Sequence, residues 1–176
     1  MKRFYITGVS GTGKSSVGEK LQEKGITVID LDVRENRLTH WRNNDTSEIS
    51  HWHSGIGNKF FDEHSYIVDI EKLVALMDSY KDKDAVTVIG LADNPNFVNL
   101  IKFDKVFLFQ CNKEIFIKRI TERTNHNFGN DASEREWILS WYEDYEKEML
   151  DKGAIPINTE GPLDEVVENI VSKINS

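Results

Sequence analysis

The run Gly8-Val9-Ser10-Gly11-Thr12-Gly13-Lys14-Ser15 constrains the fold more than any other stretch of this chain. It satisfies G-x-x-x-x-G-K-[ST] at every fixed position. The three glycines admit backbone conformations closed to other residues, so several N–H groups can converge on one anion. A helix that starts near Lys14 adds the positive end of its dipole. The flanking residues supply the required elements. Arg3 to Thr7 is a short β-prone run, and Lys14 to Lys24 reads as a helix, with Val17 and Leu21 one turn apart and Gly25 as its stop. Ile26 to Ile29 reads as a buried strand that ends in the acidic pair Asp30 and Asp32, completing a strand, loop, helix and strand within about 30 residues. The bland alternative is a glycine-rich turn that merely resembles the pattern. The strand before it and the helix after it favour a phosphate-binding loop.

The rest of the chain keeps alternating. Residues Val33 to Ser65 are rich in Asn, His, Ser and Trp and lack sustained periodicity, with a helical piece expected around Glu35 to Arg42. Ile70, Leu73, Val74 and Met77 give Tyr66 to Tyr80 a helical spacing. Ala85 to Leu91 is the next expected strand, followed by a turn at Asn94-Pro95 and a short helix to Lys102. Val106 to Phe109 is a further continuous apolar strand, of the kind that suits a parallel sheet covered on both faces. Glu114 to Arg123 reads as a helix with Ile117 and Ile120 inward, and Thr124 to Ala132 as a mobile polar loop. Ser133 and Glu136 form a capping box for a helix reaching about Leu150. Ala154 to Ile157 and Leu163 to Ile174 give a last strand and a closing helix. The expectation is one doubly wound α/β domain over residues 1–176, a three-layer sandwich around a mainly parallel five-stranded sheet.

Composition narrows the partners. The 176 residues carry a net charge of −8 and no long stripe of Lys and Arg, which argues against nucleic acid and for a small molecule. No apolar run approaches the roughly 20 residues needed to cross a bilayer. The opening MKRFYITGVSG reads as a first strand and not as a secretory leader. Cys111 is the one cysteine, which excludes an intrachain disulfide and a four-cysteine zinc site. A cytoplasmic monomer or homodimer is expected.

In a phosphate loop of this kind Lys14 reaches the β- and γ-phosphates of ATP and the Ser15 hydroxyl ligates Mg²⁺. Nucleotide contacts are expected from Gly8, Ser10, Gly11, Thr12, Gly13, Lys14, Ser15 and Ser16. A guanine-reading N-K-x-D is not met: Asn112-Lys113-Glu114-Ile115 has Ile in the fourth place. Motor and AAA-type ATPases end a hydrophobic strand in Asp, whereas here Gly90 stands where that acid is expected and Asp93 comes late. Size, motif order and these absences resemble the small P-loop kinases, the group of nucleoside monophosphate kinases, shikimate kinase and gluconate kinase. More narrowly, Phe103-Asp104, Arg119, Arg123-Thr124-Asn125 and Gly129 resemble a set of uncharacterised ATP-binding kinase-like proteins. The resemblance implies transfer of the γ-phosphoryl group of ATP to a small acceptor, a nucleoside, nucleotide or hydroxylated metabolite. A nucleotide-dependent switch with no small acceptor is the alternative.

The resemblance also assigns roles. Asp30 and Asp32 match a strand-end acid pair that touches the Mg²⁺ shell and the acceptor hydroxyl, with Asp30 on the metal side and Asp32 on the acceptor; solvated turn residues are the other reading. Arg119 and Arg123 fall at the entrance to a lid over residues 124–133, where both meet the phosphates of the nucleotide, or else they are surface arginines paired with nearby acids. Arg135 beyond the loop is a further candidate for the lid. Residues 33–65 become the acceptor-binding insertion, with Arg34 and Trp41 as contacts by ion pairing and stacking; core packing is the competing use of Trp41. Asn158 to Pro162 sits where related kinases cradle adenine. His51 and His53 suggest zinc, but two ligands do not make a site.

Overall fold

β1 (Lys2–Thr7) alternates between two buried environments, Phe4 and Ile6 on one face and Tyr5 on the other. A strand covered on both faces belongs inside a parallel sheet, and that burial organises the molecule. The computed structural model describes residues 1–124 and 127–176, apart from the side chain of Arg34. After β1 come α1 (Lys14–Glu23), β2 (Thr27–Asp30), β3 (Thr39–Asn43), β4 (Ile49–Ser50), α2 (Asn58–Glu63) and β5 (His64–Val68). Next are α3 (Ile70–Asp78), β6 (Ala85–Ile89), α4 (Phe97–Ile101), β7 (Lys105–Gln110) and α5 (Lys113–Glu122). α6 (Ala132–Asp151), β8 (Ile155–Asn158) and α7 (Leu163–Asn175) complete the order.

Five strands form one sheet in the order β2-β6-β1-β7-β8, parallel throughout. Ile6 lies opposite Ile89 on one side and Phe107 on the other, so β1 is central. On one face Val17 and Leu21 of α1 and Val166, Val167 and Ile170 of α7 close over Phe4, Ile6, Phe107 and Phe109. On the opposite face Leu73 and Met77 of α3 and Phe97 and Ile101 of α4 close over Tyr5, Val86 and Val88. These are the three layers of an α/β sandwich. Because every strand points the same way, the ends of β1, β2 and β6 share one edge, the place where open α/β sheets receive ligands.

A second sheet corrects the reading of residues 33–80. β3 is the centre of an antiparallel three-stranded sheet, β4-β3-β5, in which Trp41 faces Tyr66 and Thr39 faces Val68. The helix expected over Glu35 to Arg42 is only a 3₁₀ turn at Arg34–Asn36 followed by this strand. The helix expected from Tyr66 begins at Ile70. Two forces override the helical spacing. The run Ser65-Tyr66-Ile67-Val68 has the β-branched and aromatic character of a half-buried strand. The Trp41 ring packs on Tyr66 across the strand pair at a centroid distance of 5.1 Å and on Phe60 and Phe61 of α2 at 5.3 and 5.5 Å. Asp69 then starts α3 by accepting the Lys72 N–H.

Two helix starts also differ from expectation in an informative way. The cap of α6 is Asp131, whose carboxylate accepts both the N–H and the hydroxyl of Ser133, so the Ser133–Glu136 box does not form. Asn112, the residue that began the guanine-like N-K pair, is the N-cap of α5 and accepts the Ile115 N–H at 2.9 Å. Among the described residues no helix is long and apolar enough to cross a membrane.

Candidate active site

The loop between β1 and α1 leaves the sheet edge at Gly8 and enters the helix at Gly13. Gly13 is the N-cap, with φ 93° and ψ 13°, a left-handed geometry suited to glycine. A glycine cap has no side chain to satisfy the first N–H groups of the helix, so they stay available to an outside anion. Thr12 is buried and turns its hydroxyl back onto Val9 O at 2.8 Å, fixing the loop from within. Lys14 folds over the loop, its ammonium donating to Gly8 O at 2.6 Å and Val9 O at 3.0 Å. Burial lowers its pKa to about 8, against the upward pull of Asp32 and Asp30. Ser10 is half-buried, while Ser15 and Ser16 are exposed at the start of α1.

The end of β2 supplies two acids. Asp30 Oδ1 accepts the Asp32 N–H at 2.8 Å. Burial raises the pKa of Asp30, opposed by that N–H, by Lys14 and by the neighbouring Ser15 hydroxyl. Asp32 is exposed, and its Oδ1 accepts the Tyr66 hydroxyl at 2.9 Å. Arg123, just past α5, is half-buried; its pKa is lowered by burial, opposed by Asp32 and Glu134. Its Nη2 donates to Phe128 O, and its buried Nε has no hydrogen-bond partner among the described residues. Lys14, Asp30, Asp32 and Arg123 therefore form one electrostatic cluster at the sheet edge.

Other expected residues stand elsewhere or do other work. Arg119 donates to Thr159 O at 2.7 Å, which places it against the Asn158 to Pro162 segment. Asn125 and His126 of the expected lid lie outside the described residues. The remainder is tied down: Gly129 N–H donates to Glu134 Oε2 at 2.7 Å, and Arg135 donates to Gly129 O at 3.0 Å. Arg135 is thereby used within the loop. Trp41 is half-buried and engaged by three aromatic rings, so packing accounts for much of its surface. The Arg34 side chain is outside the described residues. His51 and His53 are exposed, and no group of three or more His, Cys, Asp or Glu suited to a metal occurs among the described residues.

Gly90 explains the acid missing from the end of β6. Its φ is +140°, and a Cβ there would stand 2.7 Å from Leu31 Cβ. No side chain fits, so no strand-end carboxylate can project from this position. Sequence reading also missed Tyr66 and Glu134. Glu134 is fully buried and accepts the N–H groups of Gly129 and Gly55, joining the loop before α6 to the segment before α2. The β-prone residues around Tyr66 were the available signal for the first. Nothing local marks Glu134.

A family model described as AAA domain matches residues 5–151. A protein of Methanocaldococcus jannaschii described as "Putative adenylate kinase" is 25% identical over 122 residues, which are 69% of this chain and 58% of that protein. The chain thus spans less than two thirds of that relative's length. Among solved structures, deoxyadenosine kinase from M. mycoides superposes with a TM-score of 0.56 at 16% identity, covering 98% of both chains. Shikimate kinase from Aquifex aeolicus gives 0.54 at 18% identity, covering 98% of this chain and 96% of that one. A gluconokinase from Sinorhizobium meliloti gives 0.55 at 20% identity, covering 99% and 91%. These likenesses establish the fold of the small P-loop kinases. The family model bears the AAA label that the missing strand-end acid argued against, and its match runs through the phosphate loop, both acids and Arg123 to the end of α6. With 147 of its 176 residues inside that match, the chain belongs to the AAA domain family, on the fold shared by small P-loop kinases.

Proposed function

We propose that this protein transfers the γ-phosphoryl group of ATP to a hydroxyl of a small-molecule acceptor. The observation that carries the proposal is the meeting of an uncapped helix start, Lys14, two strand-end acids and Arg123 at one edge of the sheet. The loop N–H groups of Gly8 to Ser16 hold the polyphosphate, and Lys14 exchanges its two carbonyl partners for phosphate oxygens. Arg119 and the Asn158 to Pro162 segment hold the base end of the nucleotide. Asp32 accepts the acceptor's proton as the new O–P bond forms and the bond to the bridging oxygen of ADP breaks. Arg123 neutralises charge that accumulates on the transferred group. Ser15 and Asp30 are a hard-oxygen pair of the kind Mg²⁺ prefers, and the ion would neutralise phosphate charge there.

Residues 33–65 receive the acceptor, with Arg34 and Trp41 among the contacts, and residues 124–133 act as the lid, all within one domain over residues 1–176. The acidic charge favours a small acceptor over nucleic acid, and a cytoplasmic setting suits the lone cysteine. The test is ADP release from Mg-ATP across nucleosides, nucleoside monophosphates, shikimate, gluconate and other small alcohols. Lys14→Ala serves as the blank and is expected to lose at least about a hundredfold in rate while remaining folded. Stimulation by one acceptor class supports the reading. A slow rate that no acceptor changes, or a folded Lys14→Ala protein that still turns over, overturns it.

A further inference from the structure

Tyr66 reaches the site from the small sheet, 34 residues along the chain from Asp32. Its hydroxyl lies 2.9 Å from Asp32 Oδ1 and 2.6 Å from Thr39 Oγ1. The single phenolic proton goes to Asp32 Oδ1, and the Thr39 hydroxyl is left to donate to the phenol oxygen or to Leu31 O. Burial and the Asp32 charge push the phenol well above its ordinary range, so it remains a donor at any working pH. The backbone of Tyr66 is pinned as well. Its N–H donates to Asp93 Oδ2 at 2.7 Å, and its carbonyl accepts the Asp93 N–H at 2.9 Å. Trp41 flanks the ring at 5.1 Å. A residue held at its hydroxyl, its backbone and its ring has little freedom, and Asp32 inherits that constraint.

We propose that Tyr66 is a positioning residue for phosphoryl transfer, holding Asp32 through Oδ1 so that its second oxygen faces the acceptor hydroxyl. The proposal rests on the phosphotransferase reading and deepens it. In the transfer step the acceptor O–H proton passes to Asp32 Oδ2, the acceptor oxygen bonds to the γ-phosphorus, and ADP leaves with the electrons of the bridging bond. Because Tyr66 stands on the sheet expected to receive the acceptor, seating the acceptor and aiming the carboxylate become one event.

Tyr66→Phe removes only the hydroxyl and keeps the ring packing. The ionisable groups facing Asp32 are Lys14 on α1, Asp30 on β2, Tyr5 on β1, Arg123 after α5 and Tyr66 itself, so this change leaves every charge in place. With the best acceptor, kcat is expected to fall about ten- to a hundredfold while the acceptor KM moves less than about threefold. A kcat within about twofold of wild type, or a loss confined to KM, overturns the proposal. A urea-unfolding cycle of Tyr66→Phe, Asp32→Asn and the double variant tests the bond without turnover. Non-additive effects support it and additive ones overturn it. If wild type shows no acceptor-dependent ADP release, the phosphotransferase reading fails on that result alone, and the positioning role falls with it.

Discussion

The two sides of the site are built in opposite ways. On the nucleotide side, one run of eight residues makes the loop, the helix start and the lysine, and each contact lies within a few positions of its partner, as with Lys14 on Gly8 and Val9. On the proposed acceptor side the contacts of Tyr66 are long-range. Asp32 meets Tyr66 across 34 residues and Thr39 meets Tyr66 across 27, through an antiparallel sheet that the main sheet does not share. A site of the first kind tolerates change elsewhere in the chain. A site of the second kind exists only once distant strands have paired.

The sharpest test of this division lies on the boundary between the two sides. Gly90→Asp would restore the strand-end acid, but the position has φ +140° and a Cβ 2.7 Å from Leu31 Cβ. Overpacking and backbone strain together should destabilise the protein by about 4 kcal/mol, read by urea unfolding. A stable, more active variant would mean that the nucleotide side can absorb what the fold excludes. Next in size is Trp41→Ala. It removes a half-buried ring from contact with Phe60, Phe61 and Tyr66 and should cost about 2–3 kcal/mol. Its nucleotide Kd should stay within about twofold while the acceptor KM rises. An equal loss of nucleotide binding would erase the distinction between the sides. The smallest effect is in pH. The free protein holds Lys14 near a pKa of about 8, and a bound phosphate favours its charged form. Nucleotide affinity should therefore be full below that value and weaken as pH rises through it, by up to about tenfold per unit. Calorimetric titration between pH 7 and 9.5 measures it, and Lys14→Ala should flatten the curve.

The same contrast sets what could be read from the residues alone. The continuous apolar strands announced a doubly covered parallel sheet, and the structure has one, β2-β6-β1-β7-β8. The phosphate loop was legible because its glycines and lysine act within one turn of chain. The acids at the end of β2 were visible, but the partner of Asp32 was not. Tyr66 sat in a stretch whose Ile70, Leu73 and Met77 spacing drew the helix four residues too early. Its true environment depends on Trp41 across the sheet, which no window along the chain contains. Arg119 was seen as a phosphate ligand at the lid, and only the three-dimensional neighbourhood assigns it to Thr159. Gly90 read as a missing acid, when its meaning is a contact with Leu31.

The ring contacts around the small sheet and α6 have an optical consequence. Of the four tryptophans, Trp41 packs on Phe61, Phe61 on Trp137, Trp137 on Trp141, and Trp52 joins through Phe128. None lies in the five-stranded sheet. Tryptophan fluorescence of this protein is therefore a spectroscopic window on the small sheet, the segment between β4 and α2, and α6, and a ligand that alters the emission has changed that part of the molecule.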